Sequence, residues 1–396
     1  AATFGKPDVQ PVLEAFSLLI PPLAMIGILS AVFRGMENAK AKVIFQDITT
    51  NVSRMVLLIS VVILGYGYEE ILTAYVLSVW MAFIGFLFYV YRHLVKLVRL
   101  RFEASIARSL IWFSLPLLAA GFMNNVMAWA GTLALGYLSG TADVALFNAP
   151  LRLVNVIPIP LAAMIFLYLP IATTIIARDA HDELKSLYLT TTKWAFLATL
   201  PLLLFFVIDA EFIVRALFGE QYLGSANVLR VLAVGFSAHT LLGPNGMTLI
   251  SWGDTKSVLQ GTLLASVTVI ILSIILIPYY GALGAAMSTS IAFILSNLYL
   301  SVILYFRHDV HPFTREYLKP ILLVIFGAAL LYGAYDYVGT SLLAAHLGLI
   351  PLLISLVIFA LLATRSISAA DVELIRTVEI RFGGSARAAN WLSRRL

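Results

Sequence analysis

Residues 257–308 read SVLQGTLLASVTVIILSIILIPYYGALGAAMSTSIAFILSNLYLSVILYFRH. Two apolar runs, 257–279 and 283–305, flank a short turn, and no charged residue occurs before Arg307. A helix of about 20 apolar residues crosses the roughly 30 Å hydrocarbon layer of a membrane. Each run is long enough for one crossing, so the stretch predicts two transmembrane helices joined by a tight turn.

The same pattern recurs along almost the whole chain. Of its 396 residues, 61% are hydrophobic and 12% are charged, whereas a soluble domain is roughly 45–50% apolar. The sequence therefore predicts an all-α polytopic membrane protein with about eleven transmembrane helices. The predicted spans are 10–33, 43–66, 70–91, 109–138, 143–176, 191–209, 226–250, 257–279, 283–305, 319–337 and 342–363.

The basic residues predict the topology of these spans. Most of the 26 lysines and arginines lie in every second connection, Lys193 among them, and connections such as 65–70, 139–143 and 279–284 carry none. The positive-inside rule places the basic connections and the C-terminus in the cytoplasm, as in a multi-pass protein of the cytoplasmic membrane. Residue 10 is then outside, so we expect an odd number of spans before residue 1.

The same composition excludes several other classes of protein. The positive charge is spread over many loops, which argues against a nucleic-acid partner. The chain has no cysteine, so disulfides and thiolate metal sites are excluded. The run RDAHDE at 178–183 matches no standard metal motif and is typical of a solvated loop with helix-capping acids. We therefore expect neither a metal site nor a cofactor.

A weak internal repeat divides the chain. Residues 40–67 align without gaps with 254–281, pairing Gln46 with Gln260 and Gly67 with Gly281, and the next spans end in YVYRH and LYFRH. The repeat predicts two related helical bundles. Residues 1–106 would be the second half of the first lobe, 107–308 a complete six-helix lobe, 309–364 an extra helix pair and 365–396 a cytoplasmic tail. The tail begins with a capping-box pattern, Ser368 followed by Asp371, and predicts an amphipathic surface helix.

Five motifs, in this order and on these topological sides, resemble those of the polysaccharide-biosynthesis flippases of the multidrug/oligosaccharidyl-lipid/polysaccharide exporter superfamily. They are FRGMENAKAK (33–42), LYLTTTKWAFLATLPLLLF (187–205), ALFGEQYLGSANVLRVLAV (216–234), GDTKS (253–257) and IPYYGALGAAMSTSIAF (277–293). The resemblance extends over nearly all of the chain up to about residue 365 and is strongest over 180–295. It implies two pseudo-symmetric six-helix lobes around a central water-filled cavity, with the first three helices absent here and an extra helix pair after the second lobe.

The resemblance also implies a function. Such a protein is a secondary-transport flippase that moves a lipid-linked oligosaccharide or polysaccharide precursor across the cytoplasmic membrane by alternating access. Its substrate would be a polyprenyl- or dolichyl-(pyro)phosphate-linked glycan. Its other partners would be membrane lipids and the glycosyltransferases of the same pathway.

Polar residues inside the spans indicate where a substrate would bind. A lone charge in hydrocarbon costs at least about 2.5–3.5 kcal/mol, so it should face the interior of the bundle. Asn148, Arg152 and Asn155 repeat at i, i+4 and i+7, which places them on one helix face. A second face carries Asp47, Asn51 and Arg54 at the same spacing, and a third span holds Asn124 and Asn125 near its centre.

Arginine suits a phosphate because its planar fork donates two parallel hydrogen bonds. We therefore predict that Arg54 and Arg152 hold a phosphate or diphosphate, with Asp47, Asn51, Asn124, Asn125, Asn148 and Asn155 completing the substrate-binding residues. Plainer interpretations stay open: Asp47 and Arg54 can form an ion pair, and asparagines often form hydrogen bonds between helices. His239 and Asn245 lie beside GPNG, which should interrupt the helix, and His239 is predicted to be a packed polar residue.

Two other functions remain open. A multidrug exporter of the same superfamily would need acidic cavity residues to attract cationic drugs, whereas the deep charges here are mostly arginine. A membrane glycan polymerase or ligase would need a large external loop with catalytic carboxylates or histidines. The largest external connection, around 208–225, holds Asp209, Glu211 and Glu220 in an amphipathic turn. We therefore predict no catalytic residues.

Overall fold

The computed structural model describes residues 10–36, 43–93, 104–338, 343–366 and 371. Every regular element within these ranges is a helix, which confirms the predicted all-α class. The chain forms two compact units, residues 1–104 and 105–396. Apolar side chains cover most of the helix surfaces, as expected for a protein solvated by lipid.

The first unit contains four α-helices and one π-helical segment. A core of Leu19, Ile26, Phe33, Val79, Ala82 and Phe86 is buried between them, and the rings of Phe45 and Phe86 stack with their centroids 4.9 Å apart. The elements are α1 (Gln10–Ser17), α2 (Ile20–Gly35), the π-helical Val43–Thr49, α3 (Thr50–Ile63) and α4 (Tyr68–His93).

The π-helical segment was not expected from the sequence. The predicted span 43–66 was treated as one α-helix, in which Asp47, Asn51 and Arg54 share a face. Because Val43–Thr49 is π-helical, its turns are wider than 3.6 residues, and the α-helical spacing does not relate Asp47 to the other two residues. The side chain of Asp47 lies outside the described residues.

The second unit contains ten α-helices. They are α5 (Ala104–Leu138), α6 (Thr141–Val154), α7 (Ile159–Ala177), α8 (His181–Ile208), α9 (Ala210–Phe218), α10 (Ala226–Leu242), α11 (Asn245–Ser251), α12 (Thr255–His308), α13 (Arg315–Val338) and α14 (Leu343–Ala363). A 3₁₀ turn at Glu220–Ser225 links α9 to α10. The main buried core lies between α6, α8, α9, α10 and α12.

The long element α12 is a hairpin of two antiparallel arms. Its helical backbone is broken at Gly281, where φ is 51° and ψ is −127°. Tyr299 Oη of the second arm donates to Gln260 Oε1 of the first at 2.7 Å, and Arg307 at the far end pairs with Asp254, which caps the beginning of the first arm. The two helices and the tight turn predicted for 257–308 are therefore confirmed, and that each arm crosses the membrane stays a prediction.

Proline and glycine break the other helices where the sequence predicts. The predicted span 143–176 is divided into α6 and the beginning of α7, whose axes differ by 48°. Pro158 is the N-cap of α7 and Pro160 lies in its first turn, while Pro150 and Pro170 remain inside helices. At GPNG, α10 ends before Gly243, whose φ is 79°, and α11 begins at Asn245.

The number of membrane spans is only partly settled. Within the described ranges, eight helices are long and apolar enough to cross a membrane, or nine if the bent pair Thr141–Val154 and Ile159–Phe166 forms one span. One of the eight is α12, which contains two of the predicted spans. The last apolar helix, Gly348–Ala363, is too short to be counted among the eight. The predicted total of about eleven stays a prediction.

The C-terminal helices α13 and α14 pack against α8. Tyr317 Oη of α13 donates to Leu241 O at 2.6 Å, and His346 Nδ1 lies 2.8 Å from Asp209 Oδ2 at the end of α8. The ring of His346 also stacks on Phe212, with centroids 3.8 Å apart. Polar contacts as well as apolar packing thus hold α13 and α14 against the preceding helices of the second unit.

A buried ion pair links α8 to the tail. Lys193 binds the carboxylate of Asp371 and donates to Ser366 O at 3.0 Å, and Trp194 Nε1 donates to Asp371 Oδ1 at 2.8 Å. Both charged side chains are almost completely buried. Lys193, which the topology prediction counted with a cytoplasmic connection, lies inside α8, because this helix begins at His181, earlier than the predicted span; the side of the membrane on which it lies stays a prediction. The predicted amphipathic helix lies outside the described residues, apart from Asp371.

Candidate functional site

A cavity of about 420 Å³ lies within the second unit and brings together three of the predicted site residues, Asn124, Asn148 and Asn155. Its remaining lining residues come from α5, α6, α10 and α12 and are mostly aromatic or apolar. They are Met127, Ala128, Trp129, Thr132, Phe147, Leu151, Phe236, Thr289 and Phe293. The cavity thus combines apolar walls with a few convergent polar groups, as ligand sites usually do.

The helices fix the amides of this cavity. Asn148 donates from Nδ2 to Val144 O at 2.9 Å and accepts at Oδ1 from Thr132 Oγ1 at 3.2 Å. These bonds tie α6 to α5 and hold the Asn148 side chain in one orientation. Asn155 is the C-cap of α6, so the break between α6 and α7 places its exposed side chain at the cavity. None of the residues lining this cavity carries a formal charge.

A second cavity of about 200 Å³ adjoins the first and shares Asn124, Met127 and Phe293 with it. It contains a polar network: His239 Nδ1 lies 2.9 Å from Asn297 Oδ1, and Asn245 Nδ2 donates to Asn297 O and to Ser301 Oγ, each at 3.0 Å. The sequence analysis missed Asn297. The signal that could have identified Asn297 was its position in the middle of the predicted span 283–305, which contains no charged residue.

Arg152 does not line either of these cavities. Its side chain is exposed and stands in the last turn of α6, where a positive charge is favourable beside the free carbonyl groups of the helix end. Successive residues of a helix are rotated by about 100° about its axis. Leu151 and Arg152 therefore project on opposite sides of the helix face that carries Asn148 and Asn155. The cavity is on the Leu151 side, so the structure separates Arg152 from the two asparagines with which it was grouped.

Asn125 is also outside the two cavities. Its side chain is exposed and donates to Gly121 O of its own helix at 2.9 Å. The neighbouring Asn124 lines both cavities. Adjacent residues on a helix point about 100° apart, so only one of this pair can face a given cavity.

Arg54 and Asn51 belong to the first unit. Arg54 is half-buried, and its guanidinium carbon lies 4.3 Å from the centroid of the Tyr75 ring, a cation–π contact. Its Nε is buried and has no hydrogen-bond partner among the described residues. Asn51 is exposed. The predicted ion pair between Arg54 and Asp47 stays a prediction, since the Asp47 side chain is not described.

The described part of the chain contains no group of three histidine, cysteine or acidic residues that could hold a metal ion. In the run 178–183, Asp182 and Glu183 occupy the first turn of α8, where negative charge is favoured. The three carboxylates of the external connection each contact a basic group. Asp209 contacts His346, Glu211 lies 3.3 Å from Arg230, and Glu220 lies 2.8 Å from Arg215.

Solved structures of two transporters share this fold. The chain superposes on a MATE protein in its straight conformation with a TM-score of 0.65 and 17% identity, covering 78% of this chain and 72% of that one. It superposes on the lipid II flippase MurJ, in an inward closed conformation, with a TM-score of 0.56 and 14% identity, covering 80% of this chain and 65% of that one. At these identities the likeness concerns the fold.

Two curated proteins are similar in sequence. The putative O-antigen transporter of Shigella flexneri is 26% identical over 226 residues, which are 54% of this chain and 50% of that protein. The teichuronic acid biosynthesis protein TuaB of Bacillus subtilis (strain 168) is 25% identical over 138 residues, or 34% of this chain and 28% of that protein. The chain thus spans at most half the length of these relatives.

The sequence model that describes polysaccharide biosynthesis proteins matches residues 1–227. This match extends over more than half of the 396 residues and through α5 to α9 of the second unit to the beginning of α10. The resemblance seen in the sequence motifs is therefore confirmed. The chain belongs to the polysaccharide biosynthesis protein family.

Proposed function

We propose that this chain is the membrane-spanning part of a flippase that moves a lipid-linked oligosaccharide or polysaccharide precursor across the cytoplasmic membrane by alternating access. The observation that carries the proposal is the uncharged cavity of about 420 Å³ lined by Asn124, Asn148 and Asn155 within a lobe of a polysaccharide biosynthesis family member. Two similar proteins, a putative O-antigen transporter and the lipid II flippase MurJ, point in the same direction.

The substrate in this proposal is a glycan carried on a polyprenyl or dolichyl phosphate or diphosphate. Asparagine amides both donate and accept, so they match sugar hydroxyl groups, which do the same. The aromatic side chains of Trp129 and Phe293 supply apolar area for the C–H faces of a sugar ring. The lipid tail would remain in the bilayer.

Arginines are proposed to contact the phosphate groups. Arg54 is held over Tyr75 by its cation–π contact, and its buried Nε still has a hydrogen to donate. Arg152 is exposed at the end of α6 and can reach an anion outside the amide-lined cavity. Each guanidinium would act on its own unit, donating paired hydrogen bonds to phosphate oxygens. Asn51 and Asp47, near Arg54, remain proposed as substrate contacts, whereas Asn125 lines neither cavity and is not among them.

The cavity chemistry favours this function over the two alternatives. No aspartate or glutamate lines either cavity, so neither offers the negative charge that a cationic drug would require. The external carboxylates that a polymerase or ligase could use are engaged with basic partners. We therefore propose a transporter and not an enzyme, with its C-terminus in the cytoplasm and the glycosyltransferases of the same pathway as partners.

A matched pair of variants tests the cavity. Full-length protein is reconstituted into liposomes, and the transfer of a fluorescent short-chain polyprenyl-diphosphate oligosaccharide between leaflets is followed by quenching from outside. Asn124→Leu removes one hydrogen-bonding amide from both cavities and should slow transfer by roughly 5- to 10-fold, the value of one hydrogen bond. Asn125→Leu, the control on the next residue, should transfer at the normal rate.

Two results would count against the proposal. Equal slowing by both variants would mean that the cavity does not bind the substrate. No transfer by the unaltered full-length protein, with any polyprenyl-linked glycan, would mean that the proposed activity is wrong.

A further inference from the structure

The smaller cavity contains a titratable group that the function proposed above does not use. His239 lines this cavity of about 200 Å³, beside Asn124 and Asn297. We propose that His239 is a proton-binding residue of the substrate site, and that its imidazolium attracts the anionic headgroup of a substrate whose glycan occupies the adjoining amide-lined cavity. This inference rests on the proposed function and names a regulator of the same site.

The hydrogen-bond network determines which nitrogen of His239 carries a proton. Asn297 Nδ2 donates to Phe293 O at 2.9 Å, so the other end of this amide, Oδ1, faces His239 Nδ1 at 2.9 Å. Reversing the amide would place Oδ1 against the Phe293 carbonyl oxygen, and two acceptors at that distance repel. Nδ1 is therefore the donor in the neutral ring, and Nε2 holds the free lone pair.

Protonation of this ring leaves the network intact. Nε2 accepts a proton from a hydronium ion that enters the cavity from solvent: one O–H bond breaks, one N–H bond forms, a water molecule remains, and the ring gains one positive charge. Nδ1 keeps its hydrogen and its bond to Asn297 Oδ1, which becomes a stronger, charge-assisted bond. The cavity is large enough for several water molecules, so a proton can reach the ring without rearrangement of the helices.

The surroundings of His239 supply no competing charge within the cavity. None of the residues that line it is aspartate, glutamate, lysine or arginine. The elements around it carry the phenols Tyr168, Tyr188 and Tyr317, bonded to Thr248, Leu242 O and Leu241 O, and Tyr299, bonded to Gln260. The charged side chains of these elements lie outside the cavity lining. Among them, Arg230 of α10 pairs with Glu211, Lys193 and Lys185 of α8 pair with Asp371 and Asp309, and Arg307 of α12 pairs with Asp254. The charge added at His239 is thus not neutralised by a neighbouring carboxylate in the cavity.

The two cavities share a wall, which connects the charge to the amides. Asn124, Met127 and Phe293 line both, and the amide-lined cavity has no charged residue of its own. A positive charge behind this wall attracts an anion bound in front of it. A unit charge acting over about 10 Å at an effective dielectric constant of about 20 changes an affinity by roughly tenfold. Because coupling is reciprocal, a bound anion also favours the protonated ring.

Replacing His239 with glutamine removes the positive charge that the ring can gain and keeps a hydrogen-bond donor for Asn297. The amide of His239→Gln can still donate to Asn297 Oδ1 but cannot gain a proton. The probe is methyl farnesyl phosphate, a phosphodiester that keeps one negative charge between about pH 6 and pH 8, so only the protein titrates. His311→Gln changes an exposed histidine outside both cavities and serves as the control.

The dissociation constant of the probe is measured on full-length protein in nanodiscs at about pH 6 and about pH 8. We expect the unaltered protein and His311→Gln to bind roughly tenfold more tightly at the lower pH. His239→Gln should bind with one affinity at both values, equal to that of the unaltered protein at the higher pH. A pH dependence that survives in His239→Gln overturns the inference, and so does equal affinity of the unaltered protein at both values.

A direct measurement covers the possibility that the variant does not fold. Full-length protein labelled with ¹⁵N at histidine, including the six histidines of this chain, is examined by NMR at about pH 7. Addition of the probe should convert one neutral ring, protonated at Nδ1, to the doubly protonated form. Probe binding that leaves every ring unchanged overturns the role of His239 but not the proposed flippase. Failure of the probe to bind at either pH contradicts the proposed substrate, and with it this inference.

Discussion

Gly281 is the residue that allows the α12 hairpin to close. Its backbone has φ 51° and ψ −127°, a region from which a side chain is excluded by clashes with its own backbone. A Cβ atom at this position would also stand 2.8 Å from Asp143 Oδ2. The turn therefore depends on the missing side chain for two separate reasons.

We expect Gly281→Ala to lower the free energy of unfolding by roughly 1–3 kcal/mol, the usual cost of a residue forced into such a region. Thermal unfolding of the purified protein in detergent measures the loss. Gly333→Ala is the control, because Gly333 lies in α13 and a Cβ there would meet open space. An equal loss of unfolding free energy in both variants would show that the loss comes from replacing any glycine with alanine and not from strain at the turn.

At the same scale, the polar residues show how far a sequence predicts a site. Asn148 and Asn155 were grouped correctly, because helical periodicity determines which residues share a face. Periodicity does not say which edge of that face meets a cavity, so Arg152 was placed on the wrong side. Asn297 forms hydrogen bonds with His239 and Asn245 in the second cavity. A single asparagine in an apolar span, however, is as often a contact between helices as a ligand-binding group.

At the scale of elements, Asp254 joins the two arms of α12 at the ends opposite the turn. This residue caps the first arm by accepting from Ser257 N at 3.1 Å and Ser257 Oγ at 2.7 Å, and it pairs with Arg307 of the second arm. Burial tends to raise the pKa of Asp254, but the hydrogen bonds of Ser257 and the charge of Arg307 outweigh burial and hold its pKa below the ordinary value.

This depressed pKa predicts a pH dependence of stability. The carboxylate stabilises the hairpin fully above the ordinary aspartate pKa of 3.8, and this contribution is lost as the pH falls from there through the lower pKa of the folded state. Unfolding midpoints measured from neutral pH downward should therefore fall less steeply in Asp254→Asn than in the unaltered protein. Parallel curves for the two proteins would contradict the assignment.

The contact between α8 and the tail predicts a different mutational pattern. Lys193→Met leaves the buried Asp371 carboxylate without its cation, and we expect a loss of about 3–5 kcal/mol in the free energy of unfolding. The double variant Lys193→Met with Asp371→Leu removes both charges and should recover most of this loss. Thermal unfolding of both variants provides the comparison.

The control for this prediction is the surface pair formed by Lys185 with Asp309, 2.6 Å apart and largely exposed. Lys185→Met should change the stability little, because solvent screens an exposed pair. If the double variant is no more stable than Lys193→Met alone, the loss comes from packing and not from an uncompensated charge.

At the scale of the whole molecule, topology can be tested directly because the chain contains no cysteine. Tyr279 lies beside the turn of the α12 hairpin, and His311 lies just beyond the other end of the second arm. Both side chains are exposed. We expect a membrane-impermeant maleimide to label Tyr279→Cys in intact cells and His311→Cys only after the membrane is permeabilised. The reverse pattern would invert the proposed orientation and place the C-terminus outside.

The architecture was largely predictable, and the reasons are physical. Span length, charge alternation and helix breakers act locally, so the α12 hairpin, the α6–α7 bend and the interruption at GPNG follow from the sequence alone. Two features depend on tertiary contacts instead. The π-helical Val43–Thr49 has no sequence signature distinct from an α-helix, and the partner of Lys193 is 178 residues away along the chain.

That separation has a consequence for biosynthesis. During translation, α8 is made long before Asp371, so every nascent chain carries Lys193 without this partner until its last segment emerges. An unpaired lysine in a membrane helix costs about 2.5–3.5 kcal/mol, so the lobe matures only when the tail arrives. Chains truncated before residue 371 keep the exposed charge, and membrane quality-control proteases can use it to distinguish incomplete molecules from finished ones.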